Sequence, residues 1–371
     1  MVHMWLHAAS FWCTANSLKP SDPSDPSVGW GNDTWRYRLW RGREDLRERA
    51  TTFFHQAARS SLRTFRGCYG MESLLGPLKP VFDRSSRQGL LIDVGAHYGQ
   101  SSAAILKVLG EASSYDLSCQ PQDALRLLLF EPNPRNCKVL RKAVLKWQRQ
   151  GLGLTMVEAA VSNHVGRQIL HGVAQGGSLS RTASLLRQHP NATLQAEVDV
   201  VTLDWYLQSQ DFEGEIFLLK IDAEGFDPLV LRGAKELLRK HRVRYLIFEV
   251  DRVWASAGHG IRFDQTVKEL YELGYLCFVV HPKALVPIYA FWWHPSFTDN
   301  TWTNVFCACE FDPELFAIYL SYTDSAYLIA VWYAAVELQQ QSSLPPAKPR
   351  RGRVAEKQFH HGLGEGHLEK K

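Results

Sequence analysis

Short apolar runs separated by stretches of helical spacing recur from Leu90 to Cys309. The stretch LLIDVGAHYG from Leu90 to Gly99 reads as strand, tight turn and helix entry, with the helix continuing over Gln100–Leu109. Further strands are expected at Arg126–Phe130, Thr155–Val161, Val198–Leu203, Ile216–Ile221 and Arg244–Val250, with helices at Pro134–Gln148, Pro228–His241 and Phe263–Leu273. Such alternation predicts an α/β fold, a parallel sheet with helices on both faces. Two later runs, Tyr275–Val280 and Thr303–Cys309, have no helical pattern between them and are expected to pair antiparallel at the sheet edge.

Outside these runs the pattern changes. Leu46, Ala50, Phe53, Phe54, Ala57, Leu62 and Phe65 fall on one face of an expected helix over Arg43–Phe65, and Pro313–Leu338 is apolar and aromatic enough for one or two more. Ser17–Asp33 has the Ser, Asp, Pro and Gly content of a linker. The chain therefore divides into a disordered or linker segment 1–34, a helical cap 35–88, the sheet domain 89–310, a helical extension 311–342 and a disordered basic tail 343–371.

Composition adds bounds. With 45% hydrophobic and 22% charged residues, the 371-residue chain can bury a large core. The net charge of +4 sits in Leu344–Lys371, and the rest balances, which speaks against a nucleic-acid-binding body. No apolar run reaches the roughly 20 residues of a membrane span; Ala326–Val336 is too short. The N-terminus has no Lys or Arg before its apolar stretch, so a cytoplasmic location is the default, although Asn32-Asp33-Thr34 and Asn191-Ala192-Thr193 would be glycosylation sequons on a secretory route. The seven cysteines show neither a disulfide framework nor zinc-ligand spacing and are expected to be buried thiols.

Open parallel sheets bind ligands at the carboxyl ends of their strands, so the polar residues there are the ones to read. They are Asp93, Glu131, Ser162, Asp222 with Glu224, and Glu249 with Asp251. Glu131 directly follows the second strand, where a carboxylate can accept both hydroxyls of a ribose. In IFLLKIDAEG, period two places Lys220, Asp222 and Glu224 on one side if the strand stays extended, either so that each shifts the others' proton affinity as a general base requires or as a structural ion pair that fixes the turn at Gly225. The loop YAFWWHPSFTDNTW concentrates Tyr289, Phe291, Trp292, Trp293, Phe297 and Trp302, either packing under the loop or forming a platform for a sugar face; His281 and His294 lie before and within it.

LLIDVGAHYGQ, LLLFEPNP, VEAAVSNHVG, VDVVTLDWYL, LLKIDAEGFDPLVLRGA and YLIFEV together resemble, in order, the motifs of FkbM-type S-adenosylmethionine-dependent methyltransferases. The resemblance implies a class I methyltransferase fold, a Rossmann-like, seven-stranded, mostly parallel sheet with an antiparallel edge hairpin, over 89–310. It also implies O-methylation of a hydroxyl on a small-molecule, sugar, glycan or natural-product acceptor. Candidate cofactor contacts are Asp93, Gly95, Ala96, His97, Gly99, Glu131, Ser162 and Asp222; candidate catalytic residues are Asp222, Lys220 and Glu224. Direct proton abstraction by Asp222 has as its alternative a magnesium ion (Mg2+) held by the same oxygens. The sequence departs from the family at His97, where Asn is common, in an insertion around Gly110–Asp123, and in the segments outside Leu90–Cys309, which have no family counterpart. Rival readings are a catalytically silent binding module on the same fold and a nicotinamide-dependent dehydrogenase, the latter disfavoured because only Gly95 and Gly99 stand where the dinucleotide fingerprint needs three glycines.

Overall fold

A computed structural model of the chain describes residues 71–85, 89–110, 125–172, 194–251, 254, 257–289, 293, 297 and 302–324. In chain order these form α1 (Met71–Arg84), β1 (Leu90–Val94), α2 (Gln100–Leu109), β2 (Arg126–Phe130), α3 (Pro134–Gln148), β3 (Gly153–Val157), β4 (Ala159–Val161), β5 (Gly166–Gly172) and β6 (Leu194–Val201). They continue as α4 (Leu203–Ser209), β7 (Ile216–Ile221), α5 (Asp227–Arg232), α6 (Lys235–Arg239), β8 (Val243–Asp251), α7 (Phe263–Glu272), β9 (Tyr275–His281), β10 (Ala284–Pro287), β11 (Trp302–Cys309) and α8 (Leu315–Tyr322). The segment 1–34, the helix expected at Arg43–Phe65, most of the insertion after Gly110, both sequons' asparagines and the tail lie outside the described residues.

The main sheet has the order β10-β9-β11-β8-β7-β1-β2-β3. Strands β1, β2, β3, β7 and β8 run parallel, while β11 is antiparallel to both β8 and β9, as expected from the absence of a helical pattern between the last two runs. β10 adds an eighth, antiparallel strand beside β9. It ends in Pro287, a residue that an edge strand tolerates.

Three expected elements are corrected. The run Thr155–Val161 divides at Glu158 into β3 and β4, and Val198–Leu203 belongs not to the main sheet but to a three-stranded sheet of order β4-β6-β5. The reason is visible in LQAEVDVV, whose alternation suits one buried and one solvated face: Val198 and Val200 are buried, while Glu197 and Asp199 face outward and pair with Arg167 of β5, each at 3.0 Å. The helix expected over Pro228–His241 breaks into α5 and α6 at Gly233, where a Cβ would lie 2.0 Å from the Ser162 carbonyl oxygen. Asp204 caps the second piece, accepting N–H bonds from Glu236 and Leu237 at 2.9 and 3.0 Å.

Helices cover both faces of the sheet. On one face Val230, Leu231, Leu237, Leu238, Phe263, Val267 and Leu270 pack on β1, β7 and β8. On the other, α1, α2, α3 and α8 contribute Leu74, Leu75, Leu78, Ile105, Leu106, Leu140, Leu315 and Ile318. Arg84 of α1 pairs with Glu314 at the start of α8, at 2.7 Å, so segments from opposite ends of the sequence share one core.

The expectation of free thiols fails for two cysteines. Register puts Cys277 of β9 directly opposite Cys307 of β11, with Cα atoms 4.1 Å apart, and the pair is a disulfide. Cys137 and Cys309 are free thiols. Among the described residues no helix is long and apolar enough to cross a membrane.

Candidate active site

From β1 the chain proceeds outward through β2 and β3, then returns to place β7 and β8 on the opposite side of β1. The carboxyl ends of β1 and β7 therefore flank a reversal of strand order, where a crevice opens in folds of this kind. The loop after β1 bends over the end of β2, with the N–H groups of Gly95 and Ala96 both donating to the Phe130 carbonyl at 2.9 and 3.0 Å. Gly95 has φ +77°, and a Cβ there would lie 1.9 Å from the Asp222 carbonyl oxygen. At Gly99, φ +89°, a Cβ would press on Trp147 and Leu140 at 2.9 and 3.0 Å. Both glycines thus meet the backbone demand of the tight turn expected there, and contacts within the protein leave no room for a Cβ at either.

Lys220 lies at the centre of this junction. Its side chain is buried, with Nζ 2.9 Å from Asp93 Oδ1, 3.5 Å from Asp222 Oδ2 and 3.3 Å from the Gly95 carbonyl oxygen. Burial alone would lower the lysine's pKa; the two carboxylates outweigh it and hold the ammonium above its ordinary value. Asp93 Oδ2 accepts the Ser102 hydroxyl at 2.6 Å, which ties the ion pair to α2. Ser102 gave no sequence signal beyond its place in a helix.

Glu131 is buried under the loop after β1. Its Oε2 accepts the His97 N–H at 2.7 Å, and Oε1 accepts from the Asn133 N–H at 2.8 Å and the Asn136 amide at 3.1 Å. Burial raises its pKa, and those three bonds act against the rise. His97 takes a left-handed φ of +52°, which turns its N–H toward the carboxylate. Three of four acceptor positions are filled, leaving one on Oε2. Beside it, the buried Tyr98 hydroxyl has no hydrogen-bond partner among the described residues; burial and the Glu131 charge both raise its pKa.

The strand geometry that joins Lys220 and Asp222 does not extend to Glu224. β7 ends at Ile221, Glu224 has φ +50° and Gly225 φ +90°, so a turn carries Glu224 to its place. It still joins a carboxyl cluster. Burial and then Asp222, Asp251 and Asp227 push Glu224 up to about 8, with Lys220 acting the other way. Burial and Asp222 push Asp227 up to about 8, and burial, Asp222 and Asp227 push Glu249 up to about 10 while it shares a hydrogen bond with Asp222. Asp227 was missed from sequence, where DPLVL reads only as a helix start; its Oδ1 accepts the Glu249 N–H at 3.3 Å. Among the described residues no group of three His, Cys, Asp or Glu side chains is arranged to hold a metal ion.

Ser162, also read as a cofactor contact, closes β4 of the small sheet, where its N–H donates to Val201 O at 2.9 Å and its hydroxyl to Asn163 at 3.4 Å. The described aromatic residues of the late loop pack inward: Tyr289 against Tyr271 and Phe278, and Trp293 between Phe263 and Phe297. Phe291, Trp292, His294 and the Trp302 side chain lie outside the described residues. His281 is buried, which with Lys283 lowers its pKa to about 4.

Residues 93–277 match the family model described as the methyltransferase FkbM domain. None of the curated proteins matches the chain. Solved structures similar to it include a methyltransferase FkbM from Methylobacillus flagellatus KT, at 13% identity and TM-score 0.34, covering 60% of this chain and 44% of that one. A putative O-methyltransferase from Klebsiella pneumoniae matches at 13% identity and TM-score 0.32, covering 81% and 94% of the two chains. A precorrin-6y C5,15-methyltransferase from Geobacter metallireducens GS-15 matches at 11% and 0.30, covering 62% and 86%. The chain thus spans less than half the length of the FkbM structure.

Proposed function

Through residues 93–277 the chain belongs to the FkbM methyltransferase family, and from that membership we propose that it O-methylates a hydroxyl of a sugar, glycan or natural-product acceptor. The observation that carries the reading is the buried Asp93–Lys220 ion pair, with the partly exposed Asp222 carboxylate beside it, at the reversal of strand order next to the loop anchored on Glu131. Family membership implies S-adenosylmethionine as methyl donor, and the chain's own residues fit it. Among the described residues Glu131 keeps one acceptor position and the Tyr98 hydroxyl has no hydrogen-bond partner, which suits a ligand with ribose hydroxyls. When bound, the cofactor supplies a sulfonium methyl electrophile.

Asp93 and Lys220 hold the two strand ends at fixed separation, and the Lys220 ammonium orients Asp222. Burial raises Glu224 and Glu249 well above the ordinary carboxylate range and so favours their protonated forms, and Asp222 is the group placed to take the hydroxyl proton as the oxygen–methyl bond forms. The charge balance outside the tail supports a small acceptor rather than a nucleic acid. The buried Cys277–Cys307 disulfide favours an oxidising compartment over the cytoplasm expected by default.

Calorimetric titration with S-adenosylmethionine, S-adenosylhomocysteine and NAD tests the cofactor. Binding of the first two and not the third is expected; binding of NAD alone, or of none, overturns the reading. Methyl transfer from labelled S-adenosylmethionine to a panel of hydroxylated acceptors then separates an enzyme from a silent binding module.

A further inference from the structure

Glu224 and Gly225 occupy successive left-handed backbone positions, φ +50° and +90°, immediately after the strand end that bears Asp222. A non-glycine residue held there costs on the order of 1 kcal/mol, so the surroundings must fix the turn. One support comes from a different loop. His259, between β8 and α7, has Nε2 2.9 Å from the Gly225 carbonyl oxygen, while its Nδ1 accepts the Ile261 N–H at 3.0 Å. Because Nδ1 is an acceptor and the carbonyl accepts only, the ring is neutral with its proton on Nε2. Its face and edge are set by Trp254 and Phe226, with ring centroids at 6.5 and 6.4 Å.

The loop is shaped for this purpose. Gly258 and Gly260 flank the histidine with φ +73° and +68°, and a Cβ on either would meet nothing within 4 Å. Packing does not require glycine there; the backbone angles do, and those angles fold the loop so that the imidazole reaches the turn.

We propose that His259 is a positioning residue that latches the Asp222–Gly225 turn, setting where the Asp222 and Glu224 carboxyls stand for the proton transfer. The inference rests on the proposed role of Asp222, yet its tests need neither cofactor nor acceptor, so the two readings fail separately. Imidazole nitrogen NMR of the full chain is expected to show the neutral Nε2–H tautomer at His259; an Nδ1–H tautomer overturns the latch. Carboxyl carbon NMR reads the site itself. In His259→Phe, which keeps ring packing and loses both bonds, the Glu224 titration midpoint, which burial and the Asp222 charge raise above the ordinary carboxylate range in the wild type, is expected to fall by roughly one unit or more as the turn opens to water. In His259→Gln, whose amide can still donate to Gly225 O, the midpoint stays near the wild-type value. A folded His259→Phe protein with an unchanged midpoint overturns the proposal, as does an equal fall in both variants.

Discussion

Glu131 shows how much a single residue can do before any ligand arrives. Its carboxylate collects the His97, Asn133 and Asn136 donors, so it shapes the loop that it is proposed to complete with a ribose. Glu131→Ala should weaken S-adenosylmethionine binding at least about tenfold, since bonds to charged groups contribute roughly 1.5 to 3 kcal/mol. Calorimetry on a variant with native circular dichroism checks this, and an unchanged dissociation constant removes the assignment. For Asp222→Asn the expectation is a fall in turnover of about a hundredfold or more with cofactor affinity nearly unchanged, the usual scale of general-base catalysis; wild-type turnover would rule out the role. Asp227 offers a test by pH. Its folded value of about 8 lies above the ordinary 3.8, so the folded state keeps a proton that the unfolded chain releases, and its contribution to stability declines as pH rises from about 4 to about 8. Asp227→Asn should therefore raise the urea midpoint more at pH 8 than at pH 5; equal shifts at both would contradict the buried, protonated state. Period two was enough to pair Lys220 with Asp222, because both issue from a straight strand end. It could not place Glu224, which a turn carries, nor reveal that Asp227 is buried.

At the level of elements, local pattern identified those that repeat one environment and missed those defined by a neighbour. β1, β2, β7 and β8 are mostly apolar runs buried on both faces, and each was legible. α1 lies within the segment 35–88 expected to be a helical cap but was not delimited as a helix of its own, and it carries Gly76, Pro77 and Pro80, residues that a helix interior disfavours. Its face of Met71, Leu74, Leu75, Leu78, Val81 and Phe82 nevertheless follows helical spacing, and burial of that face against α2 and α8 outweighs the prolines. If α1 is part of the core rather than a detachable cap, Leu78→Ala, at a fully buried position, should cost about 2 to 5 kcal/mol in urea unfolding. A loss below about 1 kcal/mol would mean that the helix contributes little. The Gly95 result belongs at this scale too, since the glycine joins two strand ends, and a larger side chain there would disturb the β1–β7 junction along with any ligand.

Across the whole molecule, the parallel half of the sheet carries the carboxyl and lysine chemistry, and the antiparallel half is closed by a covalent bond. Nothing in the cysteine spacing announced that bond, because it depends on the register of two strands separated by 30 residues, a quantity fixed only when β8, β9 and β11 align. In the unfolded chain the same bond closes a loop of that length, which by chain entropy is worth roughly 3 to 4 kcal/mol. The wild-type protein should therefore yield, on digestion without reductant, a peptide joining Cys277 to Cys307, and Cys277→Ser should lower stability by about that amount. The bond also bears on where the chain works. Glutathione and thioredoxin keep cytosolic thiols reduced, so a structural pair that is oxidised in the cell points to an oxidising compartment. Acid quenching of expressing cells, followed by alkylation in denaturant, reads the state directly: protection of both cysteines until reductant is added is the expected outcome. Recovery of Cys277 and Cys307 as alkylated thiols would remove the argument for an oxidising compartment and leave the two strands held by their ladder and core contacts alone.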